Sequence, residues 1–457
     1  MNHNGPPSIR HVAIIGGGFS GTLQAINLLR HDGPRVTLIE RREAFARGVA
    51  YSTPNPAHLL NVRASNMSAL PDDPDHFARW LAARGNGNPQ SFASRHYYGD
   101  YLADLLDSAA QASPGRLQLR RDNAAEVKIS QGGIDISFDS GDRLAADAGV
   151  LALGNLPPRD PPGFGDVVLL PDLYVGNPWD SDFTTALRDI DTVVVVGTGL
   201  TMVDVVLSLE ASGFTGKIVG LSRHGLTPRT HGDASMPPLP IWEKPSATVS
   251  TLLHSVRMRA ATVGWRVAID ELRPFTGAMW LGASFEEQRR FLRHLRAWWD
   301  VHRHRLAPAV ADRIDALRDS GRLSIVAGNI GHVEERAGGV AITYRPRHRT
   351  HHRRIVARRV INCTGPQGDL LRTREPLLRL LMAGGLIRPD PHHFGIQVNV
   401  QGETIDATGQ SNPRLLALGP MTRGTFWEIV AVPDIRLQVW AMARRLSHAE
   451  WVQGEGL

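Results

Sequence analysis

Apolar and polar positions alternate along the chain in two recurring rhythms, one strand-like and one helical. Near the start, the apolar run Val12–Ile15 passes directly into Gly16-x-Gly18-x-x-Gly21. Leu23, Ile26 and Leu29 then recur at helical spacing, and a second apolar run, Val36–Ile39, ends in Glu40. Strand, glycine turn, helix, strand and acid in that order make a βαβ dinucleotide cradle. Gly16 allows the tight turn, Gly18 lets a pyrophosphate approach the backbone, and Gly21 lets the helix pack close to its strand. Phe19 and Ser20 open the helix, whose N-terminal N–H groups favour phosphate. Glu40 stands where a carboxylate accepts ribose hydroxyls, with Arg41 next to it.

The same rhythm returns at Thr192–Asp204. The run Val193–Val196 enters Gly197-x-Gly199-x-x-Met202, and Leu200 and Thr201 open a helix that continues through Leu207 and Leu209. The following strand, Lys217–Leu221, ends in Ser222-Arg223. No acid stands at the ribose position, and a guanidinium there matches recognition of a 2′-phosphate. The second cradle is therefore expected to hold NADPH; the alternative is a Rossmann-like unit with an empty pocket. Met202 replaces the third glycine, so the helix either stands further from its strand or tolerates the larger residue.

Other segments follow from the same patterns. Gly48–Leu70 is rich in turn formers and is expected to be a long ordered loop, which often carries function. Helices are expected at Asp72–Ala83, with Asp75 as cap, and at Arg95–Leu106. Tyr97, Tyr98 and Tyr101 in the latter suit packing. Leu117–Asp147 alternates like a small antiparallel sheet about a Gly132-Gly133 turn. Buried strands end in glycine at Gly154, at Thr364-Gly365 and at Gly419. A proline-rich break at Pro157–Pro162 suggests a domain boundary. Gly232–Leu323 is helical, with tryptophans at 242, 265, 280, 298 and 299. Within it, Phe285–Arg305 is expected to be one helix with Phe291, Leu295, Trp298 and Trp299 on a core face. His302 and His304 do not share a helix face, so no metal site is expected. A last helix runs from Pro433 to about Leu446.

Composition narrows the classes. A chain of 457 residues with 42% hydrophobic and 21% charged residues is globular and long enough for two or three units. Its single cysteine, Cys363, excludes a disulfide framework and a Cys-x-x-Cys redox pair and fits a reducing cytoplasm. The N-terminal MNHNGPPSIR lacks a signal-peptide core. The longest apolar stretch, around Val193–Leu209, is broken by Gly197, Gly199 and Asp204, so no membrane span is expected. The net charge of +6 suits anionic ligands. The densest basic segment, Arg345–Arg359, lies between two strand-like runs without interleaved aromatics. It is expected to be a solvated hairpin tip and not a nucleic-acid surface.

Two cradles, an acid after the first, Ser-Arg after the second, and strand-to-glycine breaks at Gly154, Gly365 and Gly419 together resemble the two-dinucleotide-binding-domain flavoproteins. The resemblance implies FAD on Gly16, Gly18, Gly21 and Glu40, and NADPH on Gly197, Gly199 and Arg223. Gly48-Val49-Ala50-Tyr51, His58–Val62, Met67, Arg95, Tyr98-Gly99 and Arg303-His304-Arg305 are similar to a bacterial group described as FAD/NAD(P)-binding proteins. Tyr51, Asn61, Val62 and Met67 are accordingly expected near the flavin, and Glu40 and Trp427 in one flavin pocket. More distantly, the chain resembles the N-hydroxylating class B flavin monooxygenases. It lacks the histidine of their linker fingerprint after Phe164-Gly165, and it has Gly419-Pro420 in place of the frequent Gly-Asp.

The expected fold is thus α/β. It has two Rossmann-like, three-layer dinucleotide-binding domains, the second inserted in the first and carrying a helical insertion. Residues 1–160 and 366–457 form the FAD domain and 161–365 the NAD(P)H domain, with the insertion at 233–323. The resemblance implies an NADPH-oxidising flavoprotein, first of all a monooxygenase that uses O2, as a C4a-peroxyflavin, on a small molecule. A flavin reductase serving an organic acceptor or partner protein is the alternative, and a non-catalytic nucleotide-binding protein a third reading. Candidate catalytic residues are His58, Asn61 and Trp427, with Arg229 and His231 in neighbouring loops. Self-association as a homo-oligomer is left open.

Overall fold

The computed structural model describes residues 9–30, 33–130, 132–165, 167–232, 245–246 and 248–447. Residues 1–8, the start of the helical insertion at 233 and Trp242 lie outside the described residues.

In chain order the elements begin with β1 (His11–Ile15), α1 (Phe19–Arg30) and β2 (Arg35–Glu40), the expected cradle. After the loop come α2 (His76–Ala83), α3 (Arg95–Ala112) and β3 (Leu117–Arg121), then β4 (Ala124–Ile129), β5 (Ile134–Phe138), β6 (Arg143–Ala146) and β7 (Ala148–Leu151). Short strands β8 (Leu156–Pro158) and β9 (Tyr174–Val175) lead to the second cradle, β10 (Thr192–Val196), α4 (Leu200–Ala211) and β11 (Lys217–Ser222). The insertion contains α5 (Val249–Val263), α6 (Trp265–Leu272), α7 (Thr276–Gly282), α8 (Phe285–His294), α9 (Arg296–Arg303) and α10 (Pro308–Asp319). It is followed by β12 (Leu323–Arg336), β13 (Gly339–Pro346), β14 (Arg353–Ala357), β15 (Arg359–Asn362) and β16 (Pro366–Gln367). The chain closes with α11 (Pro376–Ala383), β17 (Glu403–Ile405), β18 (Ser411–Ala417) and α12 (Val432–Leu446).

The chain divides into two compact units. The first comprises residues 1–54, 63–156 and 368–457; the second comprises 55–62 and 157–367. In the first, a six-stranded sheet has the order β17-β18-β7-β1-β2-β3, with β1, the innermost apolar strand, hydrogen-bonded between β2 and β7. Every residue of β1 is buried, as expected for a central parallel strand covered on both faces. α1 packs against α3 and α12. In the second unit a seven-stranded sheet has the order β14-β13-β12-β11-β10-β15-β9. Val193, Val194 and Val195 are fully buried in its β10, and burial of each contributes about 1.5–3 kcal/mol.

Three local expectations are corrected. Leu117–Arg121 does not belong to the antiparallel sheet: as β3 it extends the parallel sheet beside β2, with Leu38 opposite Leu119. Only β4, β5 and β6 form the small antiparallel sheet. Phe285–Arg305 is two helices, α8 and α9, broken at Leu295. Trp298 is 45% exposed, and among the described tryptophans of the insertion Trp280 of α7 is the buried one. Asp75 occupies the N-cap of α2 but makes no side-chain cap hydrogen bond, whereas Ser94 caps α3 by accepting the His96 amide.

Candidate functional site

In the first cradle the glycines are fixed by contacts inside the chain. Gly16 has φ +108°, and a Cβ there would lie 2.3 Å from the Ala152 carbonyl oxygen, so β7 presses on the turn. A Cβ on Gly21 would lie 1.9 Å from the Gly16 oxygen, which makes glycine obligatory where α1 leaves the turn. Gly18 departs from the simplest expectation: Gly48, with φ +55°, comes against it from the loop after β2. The Ala46 amide donates to the Gly17 carbonyl and holds that loop over the turn.

Glu40 is buried at the end of β2. Its Oε2 accepts the Gly17 amide and its Oε1 the Arg42 amide, each at 2.8 Å. A carboxylate has about four acceptor sites, so each oxygen keeps a lone pair for a ribose hydroxyl. Arg41, in contrast, turns away to a bidentate pair with Glu375. Phe19, Tyr51 and Tyr98 form an aromatic group behind the turn, with Tyr51 and Tyr98 centroids 4.7 Å apart. Tyr98 is completely buried, and burial pushes its phenol well above the usual range.

The closing segment of the first unit brings one expected residue, Gly419, to the same cradle. Gly419, with φ +72°, packs against Ser20 in the first turn of α1; a Cβ would lie 2.6 Å from the Ser20 hydroxyl. The Gly419 amide donates to Oε1 of Gln438 on α12 at 2.8 Å, and Gln438 Nε2 donates to the Thr422 hydroxyl. Gly154 has φ +68° and open space where a Cβ would be. Trp427 is buried beside Phe394, with the Arg423 guanidinium 4.5 Å from its ring centroid. An indole carries only an N–H donor, and this ring is packed as a wall. Nearby Asp390 is buried and accepts the His392 and Phe394 amides; burial raises its pKa despite those bonds.

The second cradle repeats the first with different chemistry. Gly197 has φ +104°, and a Cβ would lie 2.3 Å from the Cys363 carbonyl oxygen, the counterpart of Gly16 on Ala152. Around Gly199 nothing lies within 4 Å of the missing Cβ. The turn is therefore open at the point where a pyrophosphate approaches. Thr198 and Ser222 join the turn to the end of β11 by hydroxyls 2.8 Å apart, and Ser222 also accepts the Gly225 amide. Arg223 is exposed beyond them. His224 is held below its usual pKa by partial burial and by the charges of Arg347 and Arg223. Met202 at the third glycine position is fully buried.

Beside this cradle is a cavity of about 430 Å³ lined by Met202, Arg229, Trp265, Arg266 and His302 among others. Thr364 is tied to Asn362 through its amide and hydroxyl, and Gly365 has φ +84° with open space at the Cβ position. Burial, then the Asp204 charge, pushes the Cys363 thiol far up.

His58, Asn61 and Val62 belong to a segment, 55–62, that is part of the second unit, while Met67 and Tyr51 belong to the first. His58 Nε2 lies 2.9 Å from the Asp204 carbonyl and 3.1 Å from the Ser208 hydroxyl on α4. Buried and engaged in this way, His58 anchors the segment to α4. Asn61 offers its backbone carbonyl to His231 Nε2 at 2.9 Å. His231 and Asn61 are thus brought together, and Arg229 reaches the cavity. The roles of Gln438 and the Thr198–Ser222 pair carry no sequence signal of their own, because each depends on a partner from a distant element.

The chain can now be set beside known proteins. Residues 13–156 match a family model described as FAD-NAD(P)-binding. No curated protein matches the sequence. Among solved structures, the chain is similar to the reduced form of an ornithine hydroxylase from Pseudomonas aeruginosa, with TM-score 0.65 and 13% identity over 96% of this chain and 99% of that one. It is similar to a Kutzneria ornithine N-hydroxylase, with TM-score 0.62 and 15% identity over 97% and 99%. It is also similar to a thioredoxin reductase from T. acidophilum, with TM-score 0.53 and 14% identity over 96% and 98%. These full-length likenesses show the fold: a mixed α/β chain with Rossmann-like parallel sheets, whose segment 13–156 is of the FAD-NAD(P)-binding kind.

Proposed function

We propose that the chain is an FAD-dependent, NADPH-oxidising enzyme and, specifically, a flavin monooxygenase acting on a small molecule. The observation that carries this reading is the pair of cradles with opposite ribose chemistry. The first ends in the buried carboxylate of Glu40, with lone pairs to spare for hydroxyls. The second ends in Ser222 and the exposed Arg223, beside a turn open at Gly199. The carboxylate suits an unphosphorylated ribose such as that of FAD, and the guanidinium suits a 2′-phosphate. The Kutzneria N-hydroxylase, described with reduced FAD, NADP+ and L-ornithine, supports the same pair of cofactors.

Residues that fit FAD are Gly16, Ser20, Gly21, Glu40 and Gly419; those that fit NADPH are Gly197, Gly199, Leu200, Thr201 and Arg223. When bound, the two cofactors supply hydride transfer and its delivery to an acceptor. This chain's own groups bind and orient: Glu40 holds ribose hydroxyls, and the α1 and α4 N-termini favour pyrophosphates. Arg223 selects the phosphorylated ribose. The fold likeness to thioredoxin reductase does not extend to a thiol acceptor, since Cys363 is the only cysteine and is buried. Oxygen is the acceptor that remains for a monooxygenase, with an organic acceptor as the alternative.

The test is a visible spectrum of the purified protein, followed by NADPH in air and under argon. The proposal expects flavin absorbance, flavin reduction by NADPH under argon, and oxygen use coupled to product formation with a small amine or carbonyl substrate. NADPH-driven reduction of quinones with no oxygen-dependent product favours the reductase. A colourless protein that takes up no flavin removes both enzymatic readings.

A further inference from the structure

The basic segment at Arg345–Arg359 spans the exposed tip of the hairpin β13–β14 and ends at Arg359, which is buried at the start of β15. Its position in the sheet gives one of its arginines a task. Ser222 at the end of β11 is in register with Ala327 of β12, and the Ala327 carbonyl accepts the Arg347 amide at 2.9 Å. Ser222, Ala327 and Arg347, the residue that follows β13, therefore form one row. With strands about 4.8 Å apart, Arg347 starts only two strand spacings from the residue that precedes Arg223. The turn after β11 lies against this row: Gly225 has φ +62°, and a Cβ there would lie 3.0 Å from the Ala327 Cβ. His224 between them feels the positive charges of both Arg347 and Arg223. Among the described residues, neither arginine side chain makes a hydrogen bond or ion pair, whereas Arg354 on the same hairpin is committed to Glu334.

We propose that Arg347 is a second cation for the 2′-phosphate of NADPH, acting with Arg223 to set the choice of NADPH over NADH. The inference rests on the NADPH reading of the second cradle and extends it to a residue far beyond the motif. A phosphate bound between two guanidiniums gains charge-assisted hydrogen bonds from two directions. The two like charges that act on His224 come from Arg347, at one end of the row, and from Arg223, next to the residue at its other end.

The test is calorimetric titration of the full chain with 2′,5′-ADP and with 5′-AMP, which needs neither flavin nor turnover. Wild type is expected to bind 2′,5′-ADP more tightly. Arg347→Ala and Arg223→Ala should each weaken 2′,5′-ADP about tenfold and leave 5′-AMP within about twofold. Arg347→Lys should recover part of the loss, and Arg336→Ala, the same charge change at the far end of the β12–β13 ladder, should change neither. If Arg347→Ala matches wild type while Arg223→Ala does not, the proposal falls and the NADPH reading stands. Equal losses in Arg347→Ala and Arg336→Ala would reduce the effect to net charge and also overturn it. If wild type does not distinguish the two probes, the NADPH reading itself fails.

Discussion

The Glu40 carboxylate takes the Gly17 amide at 2.8 Å, and this one bond closes the first cradle from strand end to glycine turn. In the second cradle the corresponding places hold Ser222 and Thr198, joined hydroxyl to hydroxyl. The connection is kept while the charge is removed, and the exposed Arg223 follows Ser222 with the opposite charge.

Glu40→Ala should give a protein that purifies with little or no flavin. It also strands the Gly17 and Arg42 amides, each a loss of about 1–3 kcal/mol if left unsatisfied. Thermal unfolding and flavin absorbance, measured together, check both parts. A variant with full flavin content would count against the first cradle as the FAD site.

Gly197 and Gly199 should respond differently to the same methyl group. Gly197→Ala meets the Cys363 carbonyl and a positive φ, so the melting temperature should fall sharply. Gly199→Ala enters open space at ordinary φ −85°, so the fold should be retained while NADPH binding weakens by about tenfold or more. Equal thermal losses in both variants would contradict the open turn.

His58→Ala should release the segment 55–62 from α4. The imidazole loses the Asp204 carbonyl and the Ser208 hydroxyl, a destabilisation of about 1–3 kcal/mol. Limited proteolysis should gain a cut within 55–62. Activity per folded, flavin-loaded molecule should drop less than the 10²-fold or more that loss of a general acid or base produces, at about the lower bound for such groups.

Cys363→Ser should retain NADPH oxidation, and wild-type Cys363 should react with thiol reagents only after denaturation. The thiol is buried and its pKa is pushed far up, and the thiolate is the reactive form. Rapid labelling of the native protein would contradict this placement.

The cradles were legible because their signals are local: the glycine spacing, the flanking strands and the residue at the second strand's end lie within a short window. The helix break at Leu295 was not, since Phe285–Arg305 keeps an apolar period straight through it. β3 was misread because alternation in Leu117–Arg121 marks an edge strand without saying which neighbour it joins; the partner, β2, lies on the far side of α2 and α3. The anchoring contacts of His58 were not legible because its partners, Asp204 and Ser208, are 146 and 150 positions away. Arg347 looked merely solvated, because only the sheet order carries it next to the end of β11.

The division of the chain also fixes an order of assembly on the ribosome. Residues 55–62 are made 146 positions before the Asp204 carbonyl that receives His58, a wait of about 7–30 s at ordinary synthesis rates. Strand β18, hydrogen-bonded between β7 and β17 in the first sheet, emerges only after the whole second unit has been made. The unit that starts first is therefore finished last, and a chain stopped anywhere before β18 leaves the β7 edge of the first sheet without its partner.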